Sequence, residues 1–97
     1  MKELHLNTTT QPERVLRAAE LLSILSCAKS KLHKDVKDRV MTAPIRPSHR
    51  MAFWPESEVR IIQAARIAGK TPDELRAIVE QLHAKRQADA ANLLPQG

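Results

Sequence analysis

AAELLSILSCAKSKLHKDVKDRV, residues 18–40, is the stretch that decides how this chain is read. In its first part Ala18, Leu21, Leu22 and Leu25 recur at helical spacing, which predicts a short helix with a broad apolar face. Ser26-Cys27 interrupts that pattern. A second helix is expected over residues 28–40, where Leu32, Val36 and Val40 lie four apart on one stripe. Ser30, His33, Lys34 and Lys37 fall together on the opposite side.

The charge of the protein lies in and just after that second helix. Lys29, Lys31, Lys34, Lys37, Arg39, Arg46 and Arg50 face only two acids, Asp35 and Asp38, so residues 29–50 net +5, the formal charge of the whole chain. The remainder is balanced, with 9 bases and 9 acids. Charge gathered in one block implies one cationic face, for which nucleic acid is the commonest polyanionic partner. Two short helices about a tight turn, the second apolar on one side and cationic on the other, match a helix-turn-helix. The second helix would then enter the major groove of duplex DNA, its N-terminal dipole favouring phosphate. Ser30, His33 and Lys34, near the start of that helix, are expected at base edges. Lys29, Lys31 and Lys37 are expected on phosphates, which position a protein without carrying sequence information.

Pro44 and Pro47 stop residues 41–52 from being helical. Two extended arms, 41–46 and 50–53, about a tip of Pro47-Ser48-His49, predict a hairpin. Arg46 and Arg50 would flank the tip, with Ser48 and His49 on it. A cationic hairpin directly after a recognition helix reads as a wing, with Arg50 either entering a minor groove or holding the backbone.

Trp54-Pro55-Glu56 opens a third helix, with Pro55 at its first position and Gly69 as its stop. Its apolar residues form two adjacent stripes, Val59, Ile62, Ala65 and Ile61, Ala64, Ala68, which predicts burial over more than half its circumference. Thr71-Pro72-Asp73-Glu74 starts a fourth helix with a capping box. Leu75, Ile78, Val79 and Leu82 form its stripe, which either caps the core or mediates self-association, and the pattern ends at Lys85-Arg86-Gln87. Phe53 and Trp54 are expected in the core, and His83 at the edge of the fourth helix's stripe, packed or exposed. Residues 14–17 either extend the first helix, with Thr10 and Glu13 as a capping box, or form a strand.

The organisation expected is a flexible arm (1–13), one DNA-binding domain (14–87) and a flexible tail (88–97). Aromatic content is 2%, too little for a stacking platform of the kind that holds single strands or RNA. Cys27 is the sole cysteine, so no internal disulfide is possible. The four histidines, His5, His33, His49 and His83, have no metal-ligand spacing. No nucleophile, general base or metal constellation is present, so neither enzyme activity nor a cofactor is expected. No apolar run approaches membrane length and no leader precedes the domain, which makes the bacterial cytoplasm and nucleoid the expected compartment, with no membrane partner.

Several of these elements, in this order, resemble the AlpA family of phage-type regulators, related to MerR-like DNA-binding domains. The family's opening is similar to Arg14-Val15-Leu16-Arg17-Ala18-Ala19-Glu20-Leu21. Its recognition-helix start is similar to Ala28-Lys29-Ser30-Lys31-Leu32-His33, and its wing and exit to Pro44 through Arg50 and Trp54 through Val59. Three positions depart from the family pattern: Ser26 and Ser48 stand where it has glycines, and His33 where it has tyrosine. The resemblance implies a mainly α winged helix-turn-helix with a short β-hairpin wing and, in this chain, an additional C-terminal helix. It also implies that residues 14–17 are a strand feeding the first helix. Members act in prophages and integrative elements either as transcriptional regulators or as excisionases (recombination directionality factors) that bind repeated sites and bend DNA for an integrase. The leading expectation is the excisionase, with duplex DNA and a tyrosine-type integrase as partners. The alternatives are a plain transcriptional regulator and, from another class, a protein-binding adaptor using the C-terminal helices.

Overall fold

A short strand, β1 (Val15–Arg17), runs without a loop into the first helix, α1 (Ala18–Leu25), in the computed structural model, which describes residues 14–95. The order continues with α2 (Lys29–Lys37), β2 (Ile45–Ser48), β3 (Met51–Pro55), α3 (Glu56–Ile67) and α4 (Pro72–Leu93). The described residues are mixed α/β and 62% helical, with four helices and one small antiparallel sheet. The expected arm at 1–13 and the last two residues of the expected tail lie outside the described residues.

α1 begins where the Glu20 carboxylate accepts the Arg17 backbone N–H at 3.1 Å. It ends at Ser26, which takes the left-handed conformation (φ 52°, ψ 48°). Around it the Cys27 N–H donates to the Leu22 carbonyl at 3.2 Å and the Ser26 N–H to that of Ser23 at 3.3 Å. Glycine usually closes a helix this way. Here a serine does, despite a steric cost of about 1–2 kcal/mol for a residue with a β-carbon.

α2 is shorter than the periodicity predicts. Arg39 is also left-handed (φ 65°), and the Val40 N–H turns back to the Asp35 carbonyl at 2.9 Å, so Val40 leaves the helix. The residues buried on α2 are Leu32 and Asp35, with Val36 half-buried. The expected apolar stripe is therefore a seam of one leucine and one carboxylate.

The hairpin is displaced towards the C-terminus. Met41 and Thr42 are buried in the core instead of forming a strand, and the Thr42 carbonyl accepts the Trp54 indole N–H at 2.8 Å. Ser48 pairs with Met51 and Ile45 with Phe53, with an irregularity between. The tip is thus His49-Arg50, the two-residue connection that hairpins favour, and not residues 47–49. Pro47 is tolerated inside β2 because β2 is an edge strand. β1 pairs on the other side of β3, with Leu16 opposite Trp54 and Arg17 opposite Phe53. That cross-pairing ties the start of the domain to the exit of the hairpin, and Leu16 and Trp54 both enter the core.

α3 caps on Pro55, so it starts one position later than expected, and closes at Gly69 (φ 78°). It buries Glu58, Val59, Ile62 and Ala65 only. The second stripe expected to be buried is exposed: Ile61, Ala64 and Ala68 face outward, as does Ile67, which is 81% accessible. A helix lying on one side of a small core needs only one apolar face. α4 has the expected capping box, Glu74 N–H to Thr71 Oγ1 at 3.2 Å and Thr71 N–H to Glu74 Oε1 at 2.8 Å. It buries Leu75, Val79 and Leu82 against the core and then continues exposed to Leu93. The helix outlasts its apolar stripe because Ala88, Ala90 and Ala91 are strong helix formers, so most of the segment 88–97 expected as tail is helical. Of the described helices, none is long and apolar enough to cross a membrane.

Candidate nucleic-acid interface

α2 turns about 100° per residue, which turns Ser30, His33 and Lys37 away from its buried Leu32–Asp35 seam, with His33 nearest its edge. All three are exposed. The segment after α2 is pinned to the core by the Trp54 hydrogen bond to Thr42, and Ala43 is held twice. Its N–H donates to His83 Nε2 at 3.1 Å and its carbonyl accepts Arg86 Nη2 at 2.7 Å. These contacts fix where β2 departs relative to α2.

The result is an open groove of about 320 Å³ between helix and hairpin. Leu32, Val36, Pro44 and Trp54 give it apolar walls, and His33, Lys37 and Arg46 bring polar and cationic groups to it. Three residues assigned to DNA contact from the sequence thus meet at one place, two from the helix and one from the hairpin. Ser48, His49 and Arg50 are exposed at the hairpin's end, with His49 and Arg50 forming the tip itself.

The cations of the block are not equivalent. Lys31 Nζ lies 2.8 and 2.9 Å from the two oxygens of Asp35, and Lys34 Nζ lies 2.8 Å from Asp38 Oδ2. The hydrogen bond from Lys34, with its charge, holds the Asp38 carboxyl below its usual range, and Asp38 in turn raises the lysine. Both members are well exposed, so this pair can open towards an incoming phosphate. Lys31 is itself exposed but is paired with a carboxylate that is buried. Asp35 points into the protein, 4% accessible, and also accepts Arg66 Nη2 from α3 at 3.0 Å. Lys29, Lys37, Arg46 and Arg50 make no ion pair among the described residues.

The N-terminus of α2 differs from the others. Its N-cap is Ala28, with no capping side chain and no acid in the first turn. α1 carries Glu20 there, α3 Glu56 and Glu58, and α4 Asp73 and Glu74. The first amides of α2 are therefore open beside Lys29 and Ser30, an arrangement suited to an anion.

Arg39, the remaining cation of the block, lines a separate cavity of about 540 Å³ with Asp73, Arg76, Glu80 and His83. Sequence reasoning missed Asp35, Arg66, Arg76 and Arg86 as the groups that hold α2 and the start of the hairpin in place. The i,i+4 spacing of Lys31 and Asp35 was a visible signal, while the arginines act across 28 to 43 residues of sequence and left none. Among the described residues no three His, Cys, Asp or Glu side chains gather as a metal site. Comparison with protein-family models, with curated proteins and with solved structures finds no match.

Proposed function

We propose that this chain is a winged helix-turn-helix protein of the AlpA type that binds specific sites in duplex DNA. The observation that carries the reading is the groove in which His33 and Lys37 of α2 meet Arg46 of the hairpin. In this reading α2 lies in the major groove with Ser30 and His33 at base edges. Lys37 and Arg46 hold the sugar-phosphate strand that separates the two DNA grooves. Its phosphate suits the cations and its deoxyribose the apolar walls of Val36 and Pro44. The tip, His49 and Arg50, then reaches the adjacent backbone or minor groove, and the open amides at the start of α2, with Lys29, take a further phosphate.

The chain acts in a mobile element as an excisionase: several copies on repeated sites bend DNA so that a tyrosine-type integrase favours excision. The exposed apolar residues away from the groove, Ile67 on α3 and Leu93 and Leu94 at the end of α4, support a protein contact of the kind this role requires. They equally favour the second reading, an adaptor that binds a protein through α3 and α4. Footprinting and bending assays on the DNA flanking its own gene separate the possibilities. Repeated protected sites with a large bend are expected of the excisionase, and one unbent palindrome over a promoter would indicate a regulator. Absence of any protected site would leave the adaptor.

A further inference from the structure

We infer that Asp35 is a positioning residue: its buried carboxylate, paired with Lys31 and with Arg66 of α3, sets the rotation of α2 about its own axis and so aims Ser30, His33 and Lys37. This rests on the DNA-binding reading above.

α2 has nine residues and buries only two of them, Leu32 at 2% and Asp35 at 4% accessibility. The apolar contacts of Leu32 and of the half-buried Val36 are non-directional, so by themselves they hold the rotation of a short helix only loosely. The carboxylate is directional. Oδ1 accepts Lys31 Nζ at 2.8 Å, and Oδ2 accepts Lys31 Nζ at 2.9 Å and Arg66 Nη2 at 3.0 Å. A buried carboxylate cannot lose its cations cheaply. Rolling α2 by one residue, about 100°, would carry Asp35 away from Arg66 and swing His33 and Lys37 out of the groove they share with Arg46. A second arginine steadies the end of the helix: Arg76 Nε of α4 donates to the Asp38 carbonyl at 3.0 Å. One acid inside the most basic segment of the chain thus does not oppose DNA binding. It orients the cations that perform it.

A purely structural ion pair would lower all binding together, through loss of folded protein. A positioning pair lowers discrimination while the cations that hold any phosphate stay in place. The test is Arg66→Met in the full chain, with affinity measured for the footprinted site and for a scrambled duplex of equal length, and hydrogen exchange followed in the free protein. Affinity for the site should fall at least about tenfold, with scrambled binding and the salt slope unchanged within about twofold. The α2 amides should exchange faster while those of α4 keep their protection, and Arg66→Lys should restore most of the discrimination. If Arg66→Met does not fold, the double variant Asp35→Leu/Arg66→Met replaces the pair by apolar groups, which preserves folding in comparable sites, and the same loss of discrimination is expected. An unchanged ratio of specific to scrambled binding, or parallel loss of both, overturns the inference. A wild-type protein that binds no duplex overturns the DNA reading instead. In that event unaltered α2 exchange in Arg66→Met would separately show that the pair does not position the helix.

Discussion

Arg86 of α4 grips Glu58 of α3 through two hydrogen bonds of 2.7 Å, Nε to Oε2 and Nη2 to Oε1. The same Nη2 also donates to the Ala43 carbonyl. One guanidinium therefore joins the two C-terminal helices to the segment that leads into the hairpin.

Removing one partner of such a buried pair strands the other. Truncation at Arg86 is expected to destabilise the fold by about 3 kcal/mol, the low end for buried pairs, because Arg86 keeps one-fifth of its side chain exposed. Urea denaturation of Arg86→Ala measures this. Glu58→Met combined with Arg86→Leu should recover most of the loss, since neither variant residue is then an unpaired buried charge.

His83 makes stability depend on pH. Its Nε2 accepts the Ala43 N–H, so the bonded form is the neutral ring. Burial, reinforced by the charge of Arg86 and opposed by Glu58, lowers the pKa from its ordinary value. The unfolded chain therefore binds the proton more readily than the folded one. The contribution is fully present above about pH 6.5 and is lost as pH falls through the lowered folded value. Stability measured from pH 7.5 to 5 should decline in the wild type, and His83→Gln should remove part of that slope.

Ser26 is held left-handed at the end of α1. Ser26→Gly relieves an αL cost of about 1–2 kcal/mol and loses about 0.4–1 kcal/mol through the greater freedom of the unfolded chain. A net gain on the order of 0.5 kcal/mol is expected. Thermal unfolding checks it, and a lower midpoint for the glycine variant would show that the serine is not strained.

How much of this was legible beforehand differs by element. Helix starts were clear because their signals are local: Thr71-Pro72-Asp73-Glu74 closes its own capping box. The end of α2 was not, because an arginine at φ 65° gives no sign in sequence that it will act as a glycine. The hairpin was expected from its prolines, but its register follows from Met41 and Thr42 being drawn into the core. Periodicity over-counted the buried face of α3, since Ile61 and Ala64 look alike to a helical wheel whether or not anything packs on them. At the candidate site the cations were evident from composition. Which of them are paired was not, because Lys31 pairs with a buried acid whose second partner, Arg66, lies 31 residues away.

Ala28 offers a variant in which stability and binding move in opposite directions. Its backbone is already extended, as an N-cap requires. Ala28→Asp should stabilise the protein by about 1 kcal/mol through capping. It should also weaken DNA binding several-fold by placing a carboxylate where a phosphate would sit. Ala28→Ser supplies the cap without the charge and should stabilise with a smaller loss of affinity. Denaturation and binding titrations on the two variants read both quantities.

In the proposed function, helix and hairpin grip one DNA strand jointly through Lys37 and Arg46. The most direct measurement is the salt dependence of duplex affinity for the wild type and for Lys37→Ala/Arg46→Ala. The control is Lys70→Ala/Lys85→Ala, which makes the same change in net charge away from the groove. With about four phosphates engaged, log affinity for the wild type should fall with log salt at a slope near −4, reduced by about 2 in the groove variant and little changed in the control. A wild-type affinity independent of salt, or equal slopes in the groove variant and the control, would contradict it.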